Sequence, residues 1–363
     1  MLKKKSKQPK KQKSALREWV DAIVFAVVVA TAVRWLVVEP YTIPTSSMEK
    51  SLLVGDFLFV SKFHYGSRNA STLLQVPLTH QKIWGTEIPS YLDWIQAPLF
   101  RLPGFSHVEK GDAVVFNTPE ELDVPIDMRT YLIKRCVGVA GDTISITDGL
   151  VHINGSPQDI PEKIQHSYYL QVQQTMRDRF FAKYDISDKS RVSGGYVVMT
   201  SEEKADEIRS LDFVDGIVQL TDKLDKRRFS YNVFPGSNTN EWTFNNFGPL
   251  YIPKKGTTIS LTPENLNRYG ALIVNHEGLE NVQLQNNQLS IDGIVVSEYT
   301  FNQDYFFMMG DNRHNSHDSR AWGFVPMNHV VGKALFTWFS LEDGSTFNFF
   351  GRVRWDRIFK KIE

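Results

Sequence analysis

Residues 310–320 read Gly310-Asp311-Asn312-Arg313-His314-Asn315-Ser316-His317-Asp318-Ser319-Arg320. This polar run follows the apolar residues Met308 and Met309 and continues into an aromatic segment that ends at Pro326. The change from apolar to polar predicts a strand that ends at Gly310 and is followed by a long polar loop.

Short β-type segments surround this loop in the sequence. They include 52–60, 111–116, 131–139 and 288–296, and most are bounded by Gly-Asp or Asn-Gly turns. The Asn154-Gly155 pair suits a type I′ hairpin turn. Many short strands with regular turn signals predict a mainly β protein.

Two residues far from this loop suggest a catalytic pair. Ser47 lies in the segment Pro44-Thr45-Ser46-Ser47-Met48, and a serine hydroxyl needs a base before it can act as a nucleophile. Lys134 should share one strand face with Leu132 and Cys136. Burial would lower its pKa, and a neutral amine can accept a proton. From these residues alone, a Ser/Thr-rich turn and a salt-bridged structural lysine remain equally open interpretations.

Composition excludes some classes of protein. The 363 residues carry 41 basic and 41 acidic side chains, which argues against a general nucleic-acid binder. Cys136 is the only cysteine, so no intramolecular disulfide can form. Its apolar neighbours predict a small buried strand residue rather than a nucleophile.

One segment predicts a membrane anchor. Residues 19–38 are mostly apolar, and a helix of that length covers roughly 30 Å, about one hydrocarbon thickness. Asp21 and Arg34 lie near its ends, and Trp19 and Trp35 suit the membrane interface. A lysine-rich stretch precedes it and should stay cytoplasmic. A cleavable signal peptide or a buried core helix would also be apolar, but the length and flanking charge favour a retained anchor.

The serine segment, Lys134-Arg135 and the polar run after Gly310 together resemble the type I signal peptidases. These are membrane-bound proteases that pair a serine with a lysine. The resemblance implies that Ser47 is the nucleophile and Lys134 the base, with no metal or other cofactor. It gives supporting roles to four residues, namely Thr45 at the oxyanion, Ser316 beside the lysine amine, and the pair Asp318 and Arg320. It places three residues at shallow substrate pockets, namely Ile43, Met48 and Ile133.

The resemblance covers the anchor and residues 39–60, 108–157 and 301–340, about half of the chain. Thr45 and Ser46 stand where Ser and Gly are commoner, and a threonine can still donate its hydroxyl. His314 and His317 fall at variable positions, so we expect solvated loop residues rather than metal ligands.

The expected fold is a signal-peptidase-like β catalytic domain with a large β-rich insertion, after one transmembrane helix. The predicted parts are a basic cytoplasmic tail (1–18), the anchor (19–38), a catalytic domain (39–157 and 301–346, with an irregular excursion at 64–107), an inserted domain (158–300) and a basic amphipathic tail (347–363). Apolar residues at helical spacing predict a closing helix in that last tail.

The resemblance also implies partners and a location. The partners would be preprotein signal peptides and the lipid bilayer, with protein-export machinery as a further candidate and no nucleic acid. The location would be the bacterial cytoplasmic membrane, with the N-terminus inside and the catalytic domain outside. Three other functions fit some of the residues: a Ser-Lys autoprotease of the SOS-repressor type, a Ser-His-Asp hydrolase, and a membrane-tethered β module without activity that binds export machinery.

Overall fold

The computed structural model describes residues 14–77, 79–158, 163–222, 233–236, 242–342 and 349–362. Within these residues the chain is mainly β, as predicted. The helices are α1 (Ala15–Leu36), α2 (Asp178–Lys183), α3 (Glu202–Arg209), α4 (Pro263–His276), α5 (Ser319–Trp322) and α6 (Phe349–Arg352). Short 3-10 turns occupy Ser46–Met48, Ile126–Met128, Met327–His329 and Trp355–Arg357. The strands are β1 (Val38–Thr42), β2 (Asp56–Ser61), β3 (Thr72–Gln75), β4 (Tyr91–Gln96), β5 (Ala113–Asn117), β6 (Tyr131–Gly138), β7 (Thr143–Thr147), β8 (Leu150–Ile153), β9 (Ser156–Pro157), β10 (His166–Gln171), β11 (Lys189–Val192), β12 (Gly195–Thr200), β13 (Gly216–Gln219), β14 (Phe247–Tyr251), β15 (Thr258–Ser260), β16 (Val282–Gln285), β17 (Gln288–Ile291), β18 (Ile294–Val296), β19 (Glu298–Thr300), β20 (Tyr305–Met309), β21 (Val325–Pro326), β22 (Val330–Ser340) and β23 (Lys360–Lys361).

Helix α1 is the one helix in the described residues that is long and apolar enough to cross a membrane. It begins after Ser14, whose hydroxyl accepts from the Arg17 backbone N–H, and ends before β1 starts at Val38. None of its residues is buried in the protein. At 22 residues it spans roughly 33 Å, which suits a bilayer. The basic residues before Ser14 lie outside the described residues.

The central sheet has eight strands in the order β1-β2-β22-β5-β6-β20-β21, with β23 added beside β22. Alternate residues of β5 enter two different apolar clusters, because successive side chains of a strand point to opposite faces. Val115 packs with Met48 and Leu58 on one face, and Phe116 packs with Cys136 on the other. Cys136 is fully buried, as expected for a small strand residue.

The region between β6, which carries Lys134, and the polar loop after Gly310 has two parts. Residues 163–222 form the sheet β11-β12-β10-β13, and α2 and α3 close an apolar cluster of their own against it. By contrast, β14 pairs with β7, and α4 joins the large cluster that contains Val137 and Phe307. The sequence suggested one insertion over 158–300 because these strands have no motif of their own. Domain limits here remain a prediction.

Residues 64–107 contain the hairpin of β3 and β4 within an otherwise irregular path. Several large apolar side chains on it face outward, including Trp84, Trp94 and Phe105 at 72%, 80% and 72% exposed. Trp35 of α1 donates from its indole nitrogen to the Arg68 carbonyl at 3.1 Å. The hairpin segment therefore sits beside the C-terminal end of α1.

The C-terminal tail does not form the closing helix that its apolar spacing predicted. It forms the short α6, a 3-10 turn and β23, which pairs with β22. The Arg357 guanidinium pairs with the fully buried Asp56, and the Ile362 backbone N–H donates to Leu335 at 2.9 Å. The tail lies on the central sheet because this ion pair and the added strand β23 attach it there.

Asp56→Ala should destabilise the fold by about 3–5 kcal/mol, because it would leave the buried Arg357 guanidinium without its carboxylate. Asp56 also accepts from the Ser340 hydroxyl at 2.6 Å and from the Leu53 backbone N–H at 2.8 Å. The measurement is chemical or thermal unfolding of the detergent-solubilised protein followed by circular dichroism. The control is Asp206→Ala, which removes an exposed partner of Arg209 and should change stability by about 0.5 kcal/mol or less. Equal losses in the two variants would contradict the prediction.

Candidate active site

Ser47 lies in the 3-10 turn Ser46–Met48, a few residues after the edge strand β1 ends. Met48 is 1% exposed and fixes this turn in the apolar cluster beneath the sheet. The Asn312 backbone N–H donates to the Ser47 carbonyl at 3.1 Å. The packing of Met48 and the hydrogen bond from Asn312 thus hold the turn in place. Ser47 itself is half-buried.

Lys134 reaches this serine from β6. Its side chain is almost fully buried, and Nζ donates to Ser47 Oγ at 2.5 Å. Burial lowers the pKa of Lys134 to about 8, although the carboxylates of Asp318 and Asp311 act in the opposite direction. A substantial fraction of the amine is therefore neutral near physiological pH and able to take a proton.

The polar loop after Gly310 is built on a buried ion pair. Asp318 and Arg320 are both nearly inaccessible, and the guanidinium donates to the carboxylate at 2.9 Å from Nε and 2.8 Å from Nη2. Burial alone would raise the pKa of Asp318, but the Arg320 charge and its hydrogen bonds lower it overall. Asp318 also accepts from the Gly310 backbone N–H at 3.1 Å, and Arg320 donates to the Arg313 carbonyl at 2.6 Å.

A second buried pair lies beside the lysine, and sequence reasoning did not predict it. Arg135 donates to the two carboxylate oxygens of Asp311 at 2.8 and 2.6 Å, and to the Gly111 carbonyl at 2.6 Å. The signal was present in the sequence. An arginine within an apolar strand is seldom buried without an acidic partner. The polar loop offers two acids for this role, Asp311 and Asp318.

Two asparagines of the loop hold the serine turn, and these too were missed. Asn312 donates from its side chain to the Ser46 carbonyl at 3.2 Å, and Asn315 donates to the Ser46 hydroxyl at 3.1 Å. Nothing in the sequence alone paired residues this far apart. Together with the backbone contact of Asn312, they fix the distance between the serine turn and the loop.

The two loop histidines differ in their surroundings. His314 is not the solvated residue that was expected: it accepts from the Ser167 backbone N–H at 3.0 Å and lies 2.8 Å from the Asn245 side chain. The neighbouring Gln165 also exchanges backbone hydrogen bonds with Asp311 and Arg313. His317 is exposed, with the Glu120 carboxylate 3.0 Å away. The inserted region therefore makes direct hydrogen bonds to the polar loop, which the sequence did not predict.

Comparison with known proteins gives this arrangement a family. The model of the family "Signal peptidase, peptidase S26" matches residues 16–213 and 256–339. The chain belongs to this signal peptidase family. Relatives named Signal peptidase I include those of Rickettsia massiliae (strain Mtu5) and Rickettsia felis (strain ATCC VR-1525 / URRWXCal2). Each is 27% identical over 332 residues, which is 91% of this chain and 82% of the relative. Signal peptidase I of Rickettsia typhi (strain ATCC VR-144 / Wilmington) is 25% identical over 336 residues, which is 92% of this chain and 83% of the relative.

The other predicted site residues lie around Ser47 and Lys134. Thr45 is exposed in extended conformation and lines, with Ser47 and Lys134, a cleft of about 380 Å³. The Ser316 hydroxyl is buried beside Gly310. It interacts with the Asp318 carboxylate and helps to lower the pKa of Asp318. The three residues predicted at substrate pockets do not line this cleft. Ile43 and Met48 are buried members of one apolar cluster, and Ile133 is a partly buried neighbour of it.

The first residues of β6 leave one edge of the sheet open beside Ser47 and Lys134. One edge of β6 pairs with β5 over residues 131–135. The other pairs with β20 only at Arg135, Cys136 and Gly138. Among the described residues no strand pairs with the second edge of residues 131–133. An extended peptide can add there as a further strand.

Gly310→Ala should reduce peptidase activity by about 100-fold or more while leaving the fold intact. An added Cβ would lie 2.5 Å from the Ser47 carbonyl oxygen and 2.2 Å from the Ser316 hydroxyl, so the serine turn or the loop must shift. Small displacements of a nucleophile reduce the rate steeply. The measurement is kcat and circular dichroism for each variant.

The control is Gly216→Ala, because a Cβ at Gly216 would have only one neighbour, 3.9 Å away. It should retain full activity. An active Gly310→Ala variant would show that the loop can move away from Ser47 without consequence.

Proposed function

We propose that this chain is a membrane-anchored serine endopeptidase that removes signal peptides from exported preproteins by a Ser-Lys dyad. The observation that carries the proposal is the 2.5 Å contact between Lys134 Nζ and Ser47 Oγ, made by an amine whose pKa burial lowers to about 8. Membership of the signal peptidase family supports the substrate class.

The reaction starts from neutral Lys134. Its amine takes the Ser47 proton while Oγ attacks the carbonyl carbon of the scissile bond. The Ser47 backbone N–H and the Thr45 hydroxyl stabilise the oxyanion that forms. The lysine ammonium then gives its proton to the leaving nitrogen, the C–N bond breaks, and the signal peptide stays joined to Ser47 as an ester.

Deacylation repeats the same steps with water. Neutral Lys134 takes a proton from the water molecule, whose oxygen attacks the ester carbonyl, and Ser47 regains its proton as the acyl bond breaks. Ser316 would orient the Lys134 amine, and the Asp318–Arg320 pair would hold the polar loop in which Ser316 lies. The same base serves both halves of the reaction, so no metal or cofactor is required.

The substrate would bind as an added strand along the open edge of β6. Side chains of a bound strand alternate, so the first and third residues before the cut would face Ile43, Met48 and Ile133. These positions lie over a packed apolar cluster, which favours small side chains.

The membrane placement rests on α1. Its length and exposed apolar surface support a single-pass anchor in the bacterial cytoplasmic membrane. The basic residues ahead of it favour a cytoplasmic N-terminus, which places the catalytic domain outside the cytoplasm. Preproteins emerging from the export machinery would arrive on that side.

Ser47→Ala and Lys134→Arg should both abolish preprotein cleavage. The first removes the nucleophile; the second keeps the positive charge but cannot act as a base, because an arginine does not deprotonate in proteins.

In the wild type kcat should rise between pH 7 and pH 9. With a lysine pKa of about 8, about a tenth of the enzyme holds the neutral amine at pH 7.

The measurement is single-turnover cleavage of a preprotein by detergent-solubilised enzyme across that pH range. An active Lys134→Arg variant would assign the base to another residue. A rate that is already maximal at pH 7 would instead point to a histidine.

Preproteins with alanine at the first and third positions before the cut should be processed best. Leucine or phenylalanine at either position should slow cleavage by about 10- to 100-fold, because overpacking typically costs about 1–3 kcal/mol. The same replacement at the second position is the matched control, since that side chain points away from the enzyme. Equal rates at all three positions would contradict the pocket assignment.

A further inference from the structure

A second cavity, of about 580 Å³, lies between α1 and the hairpin segment and is separate from the catalytic cleft. We call it the anchor groove. Its walls are largely apolar, and the apolar side chains that form them include Val27, Val28, Ala32, Leu73, Met128 and Val331. Two hydrogen bonds tie its walls together, from Trp35 to the Arg68 carbonyl at 3.1 Å and from the Ser67 hydroxyl to the Leu36 carbonyl at 2.5 Å.

The charged groups in the groove already have partners inside the protein. Glu39 is paired with Arg34 and, at 2.8 Å, with Lys62. Asp127 accepts from the backbone N–H groups of Ser71 and Thr72 at 2.9 and 2.8 Å. Arg68 donates to the Asn328 carbonyl at 2.6 Å and to the Asn117 side chain at 2.7 Å. Most of the remaining wall is apolar, which suits an apolar peptide or an acyl chain better than a charged molecule.

The anchor groove is continuous with the open edge of β6. Tyr131 lines the groove and is also the first residue of that edge. It lies three residues before Lys134, roughly 10 Å along the strand. A peptide strand that leaves the dyad in this direction reaches the groove after about three residues. In the other direction β20 already occupies the same edge of β6 from Arg135 onward. A bound peptide that runs this way must therefore leave the sheet near Ser47.

We propose that the anchor groove binds the apolar segment of the signal peptide that precedes the cleavage residues. The proposal rests on the proposed function, because it assigns the groove to the same substrate. Its side walls are α1 and the hairpin, so the bound segment would lie alongside the membrane anchor of the enzyme. The groove then contributes to substrate affinity and not to the chemistry at Ser47.

Filling the groove tests this. Ala32→Phe would place a ring in it, whereas Ala30→Phe puts the same ring two residues away, about 200° around the helix and outside the groove lining. Each variant is assayed on a full-length preprotein and on a short peptide that spans only the cleavage site. We expect Ala32→Phe to raise KM for the preprotein about tenfold or more, with kcat and short-peptide cleavage unchanged. Ala30→Phe should resemble the wild type on both substrates.

The outcomes separate this proposal from the proposed function. No change for Ala32→Phe on the preprotein would overturn it, and so would an equal loss on preprotein and short peptide, because the groove would then act on the dyad itself. If the wild type cut neither substrate, the proposed function would fail first.

Cross-linking gives a second measurement that does not depend on activity. A photoreactive side chain placed at Val28, in a Ser47→Ala background that retains the substrate, should label the apolar segment of a bound preprotein. The same group placed at Ala30 is the control and should not label it. Labelling of lipid alone at Val28 would show that an acyl chain fills the groove and would overturn the proposal.

Discussion

The site depends on keeping one buried lysine free of a carboxylate partner. Lys134 is surrounded by protein, and two acids, Asp311 and Asp318, are close enough to raise its pKa. Each is already bound by an arginine, Asp311 by Arg135 and Asp318 by Arg320. A carboxylate near Lys134 without an arginine partner would hold the lysine as an ammonium ion, because an opposite charge favours the charged form. The two arginines thus allow the effect of burial to dominate the pKa of Lys134. Among the described residues, Ser47 is the only side chain at hydrogen-bond distance from the amine.

The two ion pairs also explain the shape of the loop. Buried pairs of this kind contribute little net stability, yet breaking one is costly, so they fix geometry more than they stabilise the fold. Asp318 holds the Gly310 backbone, and the absence of a side chain at Gly310 lets the loop approach the Ser47 carbonyl. Burial of the lysine, the arginine pairs and the glycine are therefore parts of one arrangement. A change in any of them should move Ser47 relative to Lys134.

Features that depend on residues close together in sequence could be predicted, whereas features that depend on contacts between distant residues could not. The mainly β class and the membrane-type helix follow from local patterns, and the structure has both. Ser47, Lys134, Asp318 and Arg320 came from motifs, and the structure brings them together, although their roles stay predictions. The tail after residue 348 was expected to be helical because Trp355, Ile358, Phe359 and Ile362 have helical spacing. Its form is set by the buried partner of Arg357, Asp56, which lies 301 residues away in sequence.

The same limit applies to the insertion. His314 looked like a solvated loop residue because its partners, Ser167 and Asn245, lie in a region without a recognisable motif. Gln165 exchanges backbone hydrogen bonds with Asp311 and Arg313, and Asp311 pairs with Arg135, the residue next to Lys134. The chain leading into β10 is therefore part of the support for the loop and not only a connection to a separate lobe. Gln165, Ser167 and Asn245 all lie within the insertion, far in sequence from the loop that they contact. Contacts between residues so far apart in sequence leave no local pattern, and for this reason the sequence did not predict them.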